Sequence, residues 1–104
     1  MENKDEQNAK IEWEEATMVK FEKMLNKMPF FARPMVEIPV AKKAKDMAKK
    51  SNRTLVIEKD LVDAFFEVTP FGFHGPLMTD MDTVGINYKK YGHPIDYTKQ
   101  PPAQ

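Results

Sequence analysis

Apolar residues recur at threes and fours through the first two thirds of this chain. Trp13, Thr17, Phe21, Met24, Leu25 and Met28 share one side of a helical wheel, and Glu14, Glu15, Lys20, Glu22, Lys23 and Lys27 fill the other. That alternation predicts an amphipathic helix running to about Met28. Glu14 and Glu15 stand near its positive end and Lys23 and Lys27 near its negative end, as the helix dipole favours. Before it, Met1 to Lys10 is polar with nothing to bury, so residues 1–11 are expected to be a disordered or partner-ordered leader.

A second stripe follows at Met35, Val36, Val40, Ala44, Met47 and Ala48, and ends at Ser51-Asn52, a pair suited to stopping a helix or holding a left-handed turn. Pro34 fits a first helical turn. Pro39 lacks the N–H that an interior position must donate, which predicts either a kink or a true start near Pro39. Arg53 to Ile57 is β-prone. Leu61, Val62, Ala64, Phe65 and Val68 then form a third helical stripe, expected to end near Glu67. Between the first two helices lies Pro29-Phe30-Phe31-Ala32-Arg33, where a proline stops one helix and two aromatics are expected to plug a buried corner, with Arg33 polar beside them.

From Thr69 the composition changes. All four glycines and five of the eight prolines fall in residues 69–104, which predicts little regular structure. Phe71, Phe73, Leu77, Met78, Met81, Val84, Ile86, Tyr88, Tyr91, Ile95 and Tyr97 are spread through the same stretch, too much apolar material for a solvated linker. Such an arm needs a surface, either the protein's own helices or another chain. The expected fold is therefore mainly α: a small three-helix module over residues 12–68 with an irregular, extended C-terminal arm over residues 69–104.

At 104 residues there is room for one small domain. Without cysteine, disulfides and thiolate metal sites are excluded, which suits a reducing compartment and makes the cytoplasm the expected location. No apolar run reaches the roughly 20 residues of a membrane span, and Met1 to Lys10 lacks the apolar core of a secretory signal. Sixteen basic residues balance sixteen acidic ones, which argues against binding a polyanion through the field of the whole molecule. Locally, Lys42, Lys43, Lys45, Lys49, Lys50 and Arg53 make the second helix basic, while Glu58, Asp60, Asp63 and Glu67 make the third acidic. Cross-helix complementarity is the simplest expectation, with a basic docking patch as the alternative.

Trp13-Glu14-Glu15-Ala16, Phe21, Leu25, Pro29-Phe30-Phe31-Ala32-Arg33, Val36, the basic helix through Ala48-Lys49-Lys50, and Ile57 leading into Leu61-Val62-Asp63-Ala64 form a pattern over Trp13–Val68. It resembles the small C-terminal domain of the light-independent protochlorophyllide reductase B subunit. Pro34, Pro39, a longer second helix and Ser51-Asn52 in place of a glycine stop depart from that family's pattern. The reductase body and its iron–sulfur ligands lie outside the likeness, and a chain without cysteine cannot supply such ligands. What the resemblance implies is a small module attached to a larger redox or tetrapyrrole enzyme. The basic helix, β-prone link and third helix are also similar to half of a histone-type fold, which implies helical dimerisation more than DNA binding, and nucleic acid is not an expected partner.

Candidate chemistry is thin. His74 and His93 each sit in a glycine-proline turn without ligand-spaced neighbours, so packed or surface histidines are expected and no metal site is assigned. Ser51 has no histidine near it, and Glu14-Glu15 or Asp80/Asp82 are expected to stay solvated and ionised. No catalytic residue, metal or cofactor is assigned, and the chain is not expected to be an enzyme. Of eight methionines, Met24, Met28 and Met47 suit the core, whereas Met18, Met78 and Met81 suit a partner or a pigment-like ring.

The expected role is a non-catalytic accessory or assembly subunit of a larger, redox, multi-subunit complex, with self-association open. Phe30, Phe31, Arg33, Phe71, Phe73, Tyr88, Tyr91 and Tyr97 are the expected partner-binding residues. The alternatives are a tetrapyrrole-binding or substrate-covering subunit using His74, His93 or a methionine, and a histone-like dimer that binds DNA.

Overall fold

In the computed structural model, which describes residues 11–94, the backbone follows one plan twice. Strand β1 (Glu12–Trp13) leads into helix α1 (Glu15–Leu25), Pro29 opens a 3-10 turn (Phe30–Ala32), and helix α2 (Arg33–Lys50) follows at once. Strand β2 (Leu55–Val56) leads into helix α3 (Glu58–Val68), Pro70 opens a second 3-10 turn (Phe71–Phe73), and helix α4 (His74–Val84) follows. A last 3-10 turn covers Tyr88–Tyr91. The strands pair in parallel, Glu12 opposite Leu55 and Trp13 opposite Val56, so the two halves stand side by side in register.

Local chemistry explains the repetition. Pro29 (φ −55°, ψ 142°) and Pro70 (φ −57°, ψ 144°) have nearly the same extended backbone, since a proline ring fixes φ and cannot continue the preceding helix. Each carbonyl then accepts the N–H three residues on, from Ala32 and from Phe73, at 2.9 Å. The third helical positions, Thr17 and Asp60, are the buried polar side chains among the described residues. Thr17 Oγ1 donates to Glu14 Oε1 at 2.6 Å, and Asp60 Oδ2 accepts the Ile57 N–H at 2.9 Å, so both halves use this position to organise a helix start.

Each half lays its second helix against the first helix of the other: α2 runs along α3, and α4 lies on α1. Val40, Ala44 and Ala48 line the inner face of α2, fully buried. Their small side chains bring α3 close, with Leu61, Val62 and Phe65 filling the space. Trp13 stacks on Phe21 with centroids 5.2 Å apart, and Phe21 meets the edge-on ring of Phe65 at 5.9 Å, tying β1, α1 and α3 together. Lys43 of α2 reaches Glu67 of α3 at 3.1 Å, the complementarity expected of a basic helix beside an acidic one.

The mainly helical expectation holds, with corrections. Four helices are present among the described residues, not three. The described part of the C-terminal third is neither irregular nor extended: it forms α4, and Leu77, Met81, Ile86 and Tyr88 enter the same core as α1–α3. Leu77, Met81 and Val84 supply a helical stripe, while Gly85 (φ +91°) accepts the left-handed stop and lets Ile86 N–H reach Met81 O at 2.8 Å. Trp13 belongs to a strand instead of the first helix, which ends at Leu25. Helix α2 begins at Arg33 and passes through Pro39. Asn52 (φ +62°) takes the left-handed turn expected at Ser51-Asn52. Met1–Lys10 and Ile95–Gln104, with Tyr97, lie outside the described residues.

Candidate functional site

The Phe30-Phe31 corner is not buried. Phe30, Phe31, Phe71 and Phe73 are 64–75% exposed, and Met35 and Ile38, one turn apart on α2, are equally bare. Neither of the two proline-opened turns contains a buried residue. Phe30 and Phe31 touch only edge to face, 6.4 Å between centroids. Arg33 holds the corner from behind, its Nε donating to Met28 O at 3.4 Å.

Between the two proline-opened turns runs an apolar groove of about 430 Å³. Met24 and Phe65, both in the core, form its floor. Met28 and Met35 line one side, Phe73 and Leu77 the other. The turn carrying Phe30 and Phe31 joins Met28 to Met35, so the exposed pair stands on the strip of chain that borders the groove.

A second hollow, of about 370 Å³, lies on the other side of Phe71 and contains both histidines. Phe66 organises it. His93 lies flat on the Phe66 ring, His74 meets that ring edge on at 5.0 Å, and Phe71 stands 5.4 Å from His74. His74 Nε2 donates to the carbonyls of Phe66 at 3.1 Å and Thr69 at 2.9 Å, which closes the end of α3. His93 Nε2 is 2.7 Å from Asp63 Oδ1, and Lys59 shares the same carboxylate group. No cluster of three or more metal-ligating side chains occurs among the described residues.

The expected partner-binding residues separate into groups. Phe30, Phe31, Phe71 and Phe73 are exposed and Arg33 supports the first pair. Tyr88 does not face a neighbour: it is buried in the chain's own core, with its hydroxyl 3.4 Å from Asp82 Oδ2. Tyr91 is half-buried beside Glu58 and Glu14, and burial foremost, then those carboxylates, raises its pKa above the usual phenol value. Met35 and Ile38 are additions to the exposed face that helical spacing hid, since Met35 reads as part of the inward stripe. Asp63, Phe66 and His93 come together across 30 residues of sequence, for which no local signal exists.

No helix among the described residues is long and apolar enough to cross a membrane. No protein-family model, no curated protein and no solved structure matches this chain. The likeness to the protochlorophyllide reductase domain therefore rests on its motif residues alone.

Proposed function

We propose that the chain is a non-catalytic accessory or assembly subunit that docks onto a larger multi-subunit enzyme through the apolar surface around its two proline-opened turns. The observation that carries this reading is the exposure of four phenylalanines, with Met35 and Ile38, while the other large apolar side chains among the described residues are mostly packed. Aromatic side chains are the usual anchors of protein interfaces, and this many large apolar side chains left in water is uncommon on a small monomer. The motif resemblance adds that the host is a redox enzyme of the protochlorophyllide-reductase kind, and the lack of cysteine fits a reducing, cytoplasmic setting.

The test is capture by the tagged full chain in extract of its own cells, compared with a Phe30→Ser/Phe31→Ser/Phe71→Ser/Phe73→Ser variant. The wild-type chain is expected to retain a multi-subunit redox enzyme in stoichiometric amount, and the variant to lose it while keeping its helical circular dichroism. Equal retention by both would remove the basis of the docking reading.

One observation favours a second reading, a tetrapyrrole-binding or substrate-covering subunit. His74 and His93 line the same apolar hollow beside Phe71 and Met47. Haem or a chlorin titrated into the pure protein would then show a shifted Soret-type band that weakens in His74→Ala and His93→Ala. An unshifted spectrum dismisses it.

A further inference from the structure

We infer that a second copy of this chain covers the groove between the two turns, its Phe30 and Phe31 seated over Met24 and Phe65 of the first copy while the first copy's own pair is seated in return. This rests on the reading of that face as an interaction surface and names its occupant.

Three observations select a second copy over an unrelated protein. First, the face carries both halves of a fit: a hollow floored by Met24 and Phe65, and a protruding Phe30-Phe31 pair on the bordering turn. A two-fold contact uses the same patch on both subunits, so a patch with knob and hole together is what such a contact requires. Second, the area is right. Phe30, Phe31, Met35, Ile38 and Phe73 leave on the order of 500–700 Å² of apolar surface in water, given roughly 150–200 Å² for each large side chain. Counted on both subunits that is about 1,000–1,400 Å² of apolar surface, which clears the roughly 1,000 Å² that a specific interface needs. Third, the formal net charge is zero, so two copies meet without the mutual repulsion that keeps charged proteins apart.

Phe71 lines the histidine hollow and takes no part in this contact. Each copy of the dimer thus keeps one exposed aromatic turn position for the host complex. Where the dimer forms, the host is met through the second turn at Phe71, the part of the docking surface that the contact leaves free.

Sedimentation of the full chain from micromolar to sub-millimolar concentration tests the inference. The expected species is a closed dimer of twice the 12.1 kDa chain mass. Phe30→Ser/Phe31→Ser is expected to weaken it by at least about thirtyfold, as loss of two anchor side chains implies, and Met35→Glu to do the same by placing a charge in the groove that receives them. Phe71→Ser leaves the dimer intact. Both phenylalanines of the corner are exposed, so the variants keep their fold, which circular dichroism verifies. A monomer throughout, a mass that climbs without limit, or a dimer indifferent to Phe30→Ser/Phe31→Ser overturns the inference. A monomer that still loses its captured enzyme in the four-phenylalanine variant overturns the dimer alone and leaves the docking reading standing.

Discussion

The imidazole of His93 lies flat against the ring of Phe66, centroids 4.2 Å apart and planes inclined by 3°, while its Nε2 reaches Asp63 Oδ1 at 2.7 Å. Both contacts are on α3, so the last turn of the described chain is fastened to the helix that the first half also packs against. His74 meets the same Phe66 ring edge on. One phenylalanine therefore holds both the entry and the exit of the segment that follows α3.

Replacing His93 with Ala removes a stacked ring and a polar bond to a half-buried carboxylate, and should cost about 1–3 kcal/mol. The loss should be local. Amide exchange at Tyr88–Gly92 is expected to quicken well before that of α1–α3, because only the fastening is lost and the shared core is untouched. A His93→Phe variant, which keeps the stack and drops the Asp63 contact, should fall between the two. Exchange rates in Tyr88–Gly92 equal to the parent's would show that the clamp holds nothing.

Asp60 ties the start of α3 to the chain on either side of β2. Its carboxylate accepts from Arg53 Nη1 at 2.5 Å, Arg53 Nη2 at 2.9 Å and the Ile57 N–H at 2.9 Å, and Arg53 Nη1 also donates to Leu55 O at 3.1 Å. The bond to Asp60, foremost, raises the Arg53 pKa. The Asp60 side chain is 3% exposed and that of Arg53 30%, so removing the arginine strands a buried carboxylate, whereas removing the aspartate lets the arginine turn to water. Arg53→Ala is therefore expected to destabilise by about 2–4 kcal/mol, at least as much as Asp60→Ala, and the double variant by clearly less than the sum. Urea unfolding of the four proteins measures this, and strict additivity would mean that the pair does not act as one unit.

Much of the fold was legible because it is locally encoded. The stripe from Val40 to Ala48 and the stripe from Leu61 to Val68 follow helical spacing, and Asn52 takes the turn its residue type favours. Trp13 misled because Trp13, Thr17 and Phe21 keep helical spacing although Trp13 is held by Val56, far along the chain. Leu77, Met81 and Val84 keep helical spacing too, but the glycines and prolines around them masked it. The repeated plan was invisible as a repeat of residues: apart from Pro29-Phe30 and Pro70-Phe71 the halves share backbone geometry more than side chains. Phe30 and Phe31 stand out in the sequence, but the exposure of their corner does not, since apolarity says that a side chain leaves water but not which molecule covers it.

Pro39 lies within α2, where its nitrogen cannot donate to Met35 O. Pro39→Ala restores that bond and a better helix former, and should raise stability by about 1–3 kcal/mol. A raised urea midpoint with an unchanged slope is the expected record. A loss of stability would show that the ring packs against something worth more than the missing bond.

Tyr88 and Tyr91 hold their protons more tightly when folded than an ordinary phenol does. Burial is the main cause for both, reinforced by Asp82 at Tyr88 and by Glu58 and Glu14 at Tyr91. Because the folded values are raised above the ordinary phenol value of 10.0, their contribution to stability is complete below that pH and is lost as pH rises through the folded values. In a Tyr97→Phe background, which leaves these two as the remaining tyrosines of three, tyrosinate absorbance is expected to appear later than for free tyrosine and together with loss of helical circular dichroism. Tyr88→Phe should change little at neutral pH, since the bond to Asp82 is long at 3.4 Å, yet it should flatten the alkaline fall in stability by removing one of the two groups that drive it. Phenols that ionise at the ordinary value while the helices stay intact would place both rings in water and contradict the packing of the last turn against α3.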